Sequence, residues 1–135
     1  MFAKSSIVLG LYGYLFFIQP IKLLWGRVRF RDLDTLYSNF TSWFLPNGIN
    51  GNQSFPSGHA AMAWMILPLL LLLVNKNKGV KISFSILIIC WGIVVSLSRV
   101  AVGAHYASDA LFGSFIIIVV FLVITHSYWE TFKKY

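Results

Sequence analysis

Four long stretches of this 135-residue chain carry no Asp, Glu, Lys or Arg: residues 5–21, 35–75, 82–98 and 110–129. Each stretch is long enough to contain a membrane span. Only 11% of the residues are charged, whereas soluble domains carry about 25%. The 58% hydrophobic content excludes a disordered chain, and a single cysteine excludes a disulfide scaffold. The sequence therefore predicts an all-α, polytopic membrane helical bundle with one domain over residues 1–135.

We expect four transmembrane helices, at roughly residues 5–25, 58–74, 82–98 and 107–129. Pro68 falls within the second span, where a membrane helix tolerates proline at the cost of a kink. Residues 26–57 form an outer-surface segment between the first two spans. Large apolar residues between Phe30 and Phe44 recur mostly at spacings of three and four. This pattern predicts one interfacial amphipathic helix on the outer leaflet.

The positions of the lysines predict the orientation. Lys76, Lys78 and Lys81 lie between spans two and three, Lys4 precedes span one, and Lys133 and Lys134 follow span four. The positive-inside rule places all of them, and both termini, in the cytoplasm. The outward segments nevertheless carry five cations: Lys22, Arg27, Arg29, Arg31 and Arg99. Cations placed against the rule indicate a function at the outer face. The formal charge of +7 therefore reflects this topology, and we expect the bilayer, not nucleic acid, as the partner.

The loop before the fourth span contains Arg99, His105 and Asp109. If a helix begins at this loop, His105 and Asp109 share a face, because they are four residues apart. A carboxylate bonded to one imidazole nitrogen fixes the tautomer and leaves the other nitrogen as a base or nucleophile. The alternative is a structural His–Asp pair at the start of a helix.

The second span begins at Pro56-Ser57-Gly58-His59. Ser57 is suited to cap the helix, whose free N–H groups bind phosphate readily, and Gly58 allows an anion to approach the backbone. His59 would lie beside such an anion. The alternative is a serine cap followed by an incidental histidine.

Lys22 and Arg29 are seven residues apart, which is close to two helical turns. If the first helix persists, both cations project from one face, whereas Arg27 falls on a different face. Snorkelling to lipid headgroups is the alternative. Together the three groups suit phosphoryl transfer without a metal or other cofactor, since the sequence has no acidic cluster to hold metal ions.

Three patterns in the sequence, K-x6-R from Lys22, PSGH from Pro56 and SR-x5-H-x3-D from Ser98, resemble the motifs of the type 2 phosphatidic acid phosphatase superfamily. That superfamily also includes bacterial acid phosphatases and vanadium haloperoxidases. The resemblance implies that His105 is a nucleophile forming a phosphohistidine, that Asp109 orients it, and that His59 protonates the leaving oxygen. It also implies five residues that hold the phosphate: Lys22, Arg29, Ser57, Gly58 and Arg99.

The membrane branch of the superfamily dephosphorylates lipid phosphates and isoprenoid diphosphates at the outer face. We therefore expect a phosphoric monoester or diphosphate hydrolase in a bacterial cell membrane. The expected substrates are of the phosphatidic acid, phosphatidylglycerophosphate or undecaprenyl diphosphate class. Two departures stand out: Phe30 follows Arg29 where the family has proline, and the chain has four expected spans where membrane members usually have six.

The missing pair of spans supports an alternative, in which the chain is an N-terminally truncated, noncatalytic lipid-phosphate-binding or partner protein. Self-association or partner helices would then replace the two spans. A small transporter or channel component is a third hypothesis. It is disfavoured because most ionisable residues here lie at the ends of spans and not at mid-bilayer.

Overall fold

The computed structural model of the chain describes residues 2–132, with side chains described as far as residue 127. Lys133 and Lys134, two of the predicted cytoplasmic cations, lie outside the described residues. Every regular element within residues 2–132 is a helix, and three of them are long and apolar enough to cross a membrane. The predicted all-α membrane bundle is confirmed.

The first helix has three consecutive parts: α1 (Phe2–Val8), a π-helical stretch (Leu9–Ile18) and α2 (Gln19–Trp25). It ends at Gly26, whose φ of 55° and ψ of 31° are typical of a glycine that terminates a helix. Arg29 follows in extended conformation, with φ −74° and ψ 151°. The condition under which Lys22 and Arg29 would share one helix face is therefore not met.

The predicted second span corresponds to a shorter apolar helix, Gly58–Leu73, which is not among the three helices long enough to cross a membrane and has two parts. Its first part is α3 (Gly58–Trp64), and a 3₁₀ helix (Leu67–Leu73) continues it. Pro68 lies in the first turn of that 3₁₀ helix, where its missing N–H breaks the α-helical hydrogen-bond ladder. A 3₁₀ helix rises about 2.0 Å per residue against about 1.5 Å for an α-helix, so this part lengthens the span.

The remaining spans are α4 (Lys78–Ala101) and α5 (Ala107–Phe132). Helix α3 packs against both of them and against the first helix. The buried core between them consists of Leu9, Ile18, Ala61, Trp64, Leu67, Ile88, Ile117 and Phe121. A Cβ atom on Gly92 would lie 2.5 Å from the Trp64 ring, so glycine is required for α3 and α4 to approach. Only 11% of the most apolar 18-residue stretch of α4 is buried inside the bundle. The rest of that stretch offers a wide apolar surface to lipid.

The predicted interfacial helix between Phe30 and Phe44 is wrong. The structure contains one 3₁₀ turn, Phe30–Asp32, followed by irregular turns over residues 33–57, which we call the cap segment. The Asp34 carboxylate closes a turn by accepting the Ser38 N–H at 2.8 Å, and the Ser38 hydroxyl lowers the pKa of Asp34. Tyr37 then has φ 55°, which a helix does not allow.

Aromatic side chains hold the cap segment to the start of α5. The Phe40 ring lies 5.9 Å from the Tyr106 ring, and the Trp43 ring lies 5.0 Å from that of Phe112. These residues therefore contact separate partners, which explains why a spacing of three and four did not produce a helix. The cap segment covers the bundle end at which the first helix ends and α3 begins. Lys76, Lys78 and Lys81 lie at the opposite end.

Candidate active site

His105 lies in the loop between α4 and α5 and is only 4% exposed. Its Nδ1 atom is 2.7 Å from the backbone carbonyl oxygen of Ser54. A carbonyl oxygen can only accept a hydrogen bond, so Nδ1 carries the proton. In the neutral imidazole Nε2 is therefore unprotonated and has a free lone pair.

Asp109 is completely buried in the first turn of α5. Its Oδ2 atom accepts hydrogen bonds from the Ser54 hydroxyl at 2.5 Å and from the Tyr106 N–H at 3.1 Å. The same oxygen is 3.7 Å from His105 Nδ1, which is longer than a hydrogen bond. The expected direct His105–Asp109 hydrogen bond is thus absent. The reason is that α5 begins at Ala107, so His105 precedes the helix and does not share its face.

Arg27 is 2% exposed and forms an ion pair with Asp109 through Nη1 and Oδ1. Nη1 also donates to the Ser108 hydroxyl at 2.8 Å, and Nε donates to the Thr41 carbonyl at 3.0 Å. The guanidinium carbon lies 3.9 Å from the centre of the Tyr106 ring, in cation–π geometry. Burial raises the pKa of the Tyr106 hydroxyl, which keeps that ring neutral.

The sequence placed Arg27 among the outward cations but outside the predicted site, and it gave Ser54 no role. Their partners are distant in sequence: Arg27 is 82 residues from Asp109, and Ser54 is 51 residues from His105. The scarcity of carboxylates in the sequence could have indicated this pairing. A buried arginine needs a carboxylate partner, and Asp109 is the carboxylate that lies within a motif. We call Arg27, Ser54, His105 and Asp109 the buried cluster.

The Pro56–His59 turn lies beside this cluster. The Ser57 hydroxyl accepts the Ala60 N–H at 3.3 Å, so Ser57 caps α3 as predicted, and the Ser57 N–H donates to the Asp109 carbonyl at 2.9 Å. A Cβ atom on Gly58 would lie 3.6 Å from Lys22 Nζ, which therefore sits over the start of α3. A Cβ atom on Gly113 would overlap the Ser57 backbone. Glycine at position 113 thus allows α5 to approach this turn.

The remaining predicted residues line the exposed side of the site. His59 is exposed on the first turn of α3, and Arg29 and Arg99 are half-buried. The positive charges of Arg99, Lys22 and Arg29 lie close enough to His59 to act on it electrostatically. We call Lys22, Arg29, His59 and Arg99 the open rim. The structure therefore brings all eight predicted site residues to one end of the bundle.

An apolar groove of about 360 Å³ begins next to this site. It runs between α4 and α5, beside Trp64 of α3. Val100 follows Arg99 in sequence, and Ala107 follows His105 by two residues, so the top of the groove adjoins both of these site residues. The groove lining includes Trp64, Ile93, Leu97, Val100, Ala107 and Leu111.

The chemistry available to this end of the bundle is that of anion capture and nucleophilic attack. Three cations can neutralise an anion, Nε2 of His105 can attack it, and His59 can exchange protons with solvent. Within the described part of the chain, no three His, Cys, Asp or Glu side chains come together as a metal site requires.

Comparison with known proteins assigns almost the whole chain to one family. The sequence matches the PAP2 superfamily over residues 4–133, a range that includes all eight predicted site residues. No solved structure gives a significant match to the chain.

Proposed function

The chain belongs to the PAP2 superfamily and has a domain of phosphatase type, and on that premise we propose that it hydrolyses a lipid phosphate or an isoprenoid diphosphate within the membrane. The observation that carries the proposal is the state of His105. Its Nδ1 proton is donated to the Ser54 carbonyl, so in the neutral ring the lone pair lies on Nε2, at the bundle end that also carries the cations of the open rim. A histidine in this state is a nucleophile for phosphorus.

In the first step Nε2 of His105 attacks the terminal phosphorus. The bond that breaks joins this phosphorus to the lipid oxygen in a monophosphate and to the bridging oxygen in a diphosphate. His59 donates a proton to that leaving oxygen, and the lipid alcohol or the shorter phosphate departs. The cations Lys22, Arg29 and Arg99 neutralise the equatorial oxygens of the transferred group. Electrostatic neutralisation of this kind is the main requirement of phosphoryl transfer, and the rim cations supply it without a metal ion.

In the second step water attacks the phosphohistidine. His59, now neutral, takes a proton from this water, the bond from nitrogen to phosphorus breaks, and inorganic phosphate leaves. His59 suits both steps because it is exposed to solvent. The buried cluster keeps His105 in the same tautomer at the end of the cycle.

Two features favour a lipid substrate over a soluble phosphate ester. The apolar groove between α4 and α5 adjoins the site and lies within the membrane-spanning part of the bundle. The cap segment also exposes large apolar side chains, among them Phe40, Trp43 and Phe44, which suit the membrane interface. With Lys76, Lys78 and Lys81 at the cytoplasmic end, the site end faces outward.

The test is phosphate release by the purified chain in detergent with EDTA. Phosphatidic acid and undecaprenyl diphosphate are the lipid substrates, and glycerol 3-phosphate is the soluble comparator. We expect release from a lipid substrate that survives EDTA, disappears in His105→Ala, and greatly exceeds release from glycerol 3-phosphate. Binding of the lipid phosphate without turnover by the unaltered chain would instead support the noncatalytic alternative.

A further inference from the structure

We propose that Arg27 is a positioning residue, which acts through Asp109 and Ser54 to hold His105 in its reactive tautomer and direction. The inference rests on the proposed function in one respect, because it treats His105 Nε2 as the attacking atom. It concerns a residue outside the eight site residues predicted from sequence. The evidence is the way in which charges and hydrogen bonds are shared among four buried side chains.

Arg27 and Asp109 are the charged pair of the buried cluster, with side chains 3% and 0% exposed. A buried charge is tolerated only when an opposite charge and hydrogen bonds satisfy it. Arg27 uses Nη1 for Asp109 Oδ1 and the Ser108 hydroxyl, and Nε for the Thr41 carbonyl. Its guanidinium face is covered by Tyr106. Because Arg27 is buried and engaged in this way, it does not belong to the surface that receives the phosphate.

Ser54 connects the charged pair to His105. Its N–H donates to the Arg27 carbonyl at 2.9 Å, and its hydroxyl donates to Asp109 Oδ2 at 2.5 Å. Its own carbonyl accepts the His105 Nδ1 proton at 2.7 Å. Arg27 therefore contacts Ser54 through its backbone and fixes the carboxylate that holds the Ser54 side chain.

The consequence is a division of roles between the two oxygens of Asp109. Oδ1 is occupied by Arg27, and Oδ2 is shared by Ser54 and the Tyr106 N–H. The bond that sets the His105 tautomer comes from the Ser54 carbonyl and not from the carboxylate. If Arg27 is neutralised, Asp109 loses the partner of Oδ1, and we expect Ser54 and His105 to lose their common orientation.

The kinetic test compares Arg27→Met and Arg27→Lys with Arg31→Met in the full chain. Arg31 is the matched control, because its side chain is 53% exposed and its ion pair with Asp32 is 3.7 Å long. We expect Arg27→Met to lower kcat by about 100-fold, the loss typical of a small misplacement at a reacting atom, with little change in KM. Arg27→Lys keeps the charge and should recover part of the loss, and Arg31→Met should behave as the unaltered chain.

A double variant tests whether Arg27 acts through Asp109. In the Asp109→Asn background, Arg27→Met should cause little further loss of kcat, because residues that act as one unit are not additive. Full multiplication of the two losses would overturn the proposal. A rise in KM with kcat unchanged would also overturn it, since that pattern belongs to a residue that binds substrate.

A readout without turnover separates this proposal from the proposed function. ¹⁵N-histidine NMR of the full chain in detergent micelles reports which ring nitrogen carries the proton, and the His105 signals are those lost in His105→Gln. We expect His105 of the unaltered chain to be protonated at Nδ1 and Arg27→Met to give a mixture of tautomers. Arg27→Lys should stay close to the unaltered pattern. An unchanged His105 pattern in folded Arg27→Met would overturn the proposal, even if the unaltered chain released no phosphate.

Discussion

The buried cluster and the open rim are neighbours, but their charged side chains differ in whether they have partners within the protein. In the buried cluster, Arg27 has a carboxylate partner, two further acceptors and an aromatic ring. In the open rim, no carboxylate of the described residues lies within ion-pair distance of Lys22, Arg29 or Arg99. The charges of the buried cluster therefore stabilise the fold, whereas the cations of the open rim, which have no carboxylate partner among the described residues, match the anion site of the proposed function.

The largest expected effect concerns the two histidines of α5 and the loop before it. His105→Ala removes the proposed nucleophile, and we expect the rate of phosphate release to fall by about 10⁴-fold or more, as for other catalytic units that lose one member. His126→Ala is the control, because His126 is exposed on α5 away from the site end. Equal losses in the two variants would show that the effect is general damage and not chemistry.

The next comparison sets a buried arginine against one in the rim. Removal of one partner from a buried ion pair costs about 3–5 kcal/mol, and we expect a loss of that order in the free energy of unfolding for Arg27→Met. Arg29→Met should change the free energy of unfolding little, since Lys22 and Arg29 repel each other. Instead it should weaken competitive inhibition by inorganic phosphate. Unfolding by SDS titration in mixed micelles, followed by tryptophan fluorescence, measures the first quantity. If Arg29→Met lowered the free energy of unfolding more than Arg27→Met, Arg29 and not Arg27 would be the arginine that stabilises the fold.

A pair of glycine variants tests how the two regions are joined. Gly113→Ala places a methyl group against the Ser57 backbone, and overpacking of this kind costs about 1–3 kcal/mol. We also expect lower activity, because the variant separates the Pro56–His59 turn from α5. Gly10→Ala is the control, since its Cβ atom would lie 3.5 Å from Met65 Cε, an ordinary contact. If Gly113→Ala were as stable and active as Gly10→Ala, the close approach of α5 would not matter for the site.

The smallest effect separates the site end from the opposite end. Ser57 and Asn77 cap α3 and α4 through hydrogen bonds to the N–H groups of Ala60 and Val80, at 3.3 Å and 2.9 Å. Replacement of either residue by alanine should cost about 1 kcal/mol in the free energy of unfolding. Only Ser57→Ala should also lower turnover, because Asn77 lies at the end of the bundle away from His59. A drop in turnover for Asn77→Ala would indicate that capping acts on activity through stability alone.

Sequence patterns predicted the bundle because the bilayer imposes strong rules on apolar length. The charge-free stretches predicted spans that coincide closely with the observed helices, and Ser57 was correctly identified as a cap. The sequence also predicted that Lys22, His59 and His105 lie close together. That prediction followed from the alternating direction of the spans, which brings the end of one span and the start of the next to the same side of the membrane. These inferences needed only local chemistry and alternation of direction.

Tertiary contacts could not be predicted in the same way. The spacing of apolar residues from Phe30 to Phe44 indicated a helix, but Tyr37 has a left-handed backbone and Phe40 packs on Tyr106 instead. The helical-face argument excluded Arg27 because it assumed a helix that continued past Gly26. The tautomer of His105 depends on the backbone carbonyl of Ser54. Every residue has such a carbonyl, so the amino-acid sequence does not show which one accepts the bond.

The ion pair between Arg27 and Asp109 also has a consequence for biosynthesis. Arg27 follows the first helix and Asp109 begins α5, so the ribosome releases the cation long before its partner. Until α5 inserts, Arg27 must stay at the wet surface of the membrane, because burial without a carboxylate is too costly. Arrival of α5 lets Arg27 fold inward and at the same time delivers His105. A nascent chain in which α5 has not yet inserted therefore lacks both the Arg27–Asp109 ion pair and the position that His105 has in the folded bundle.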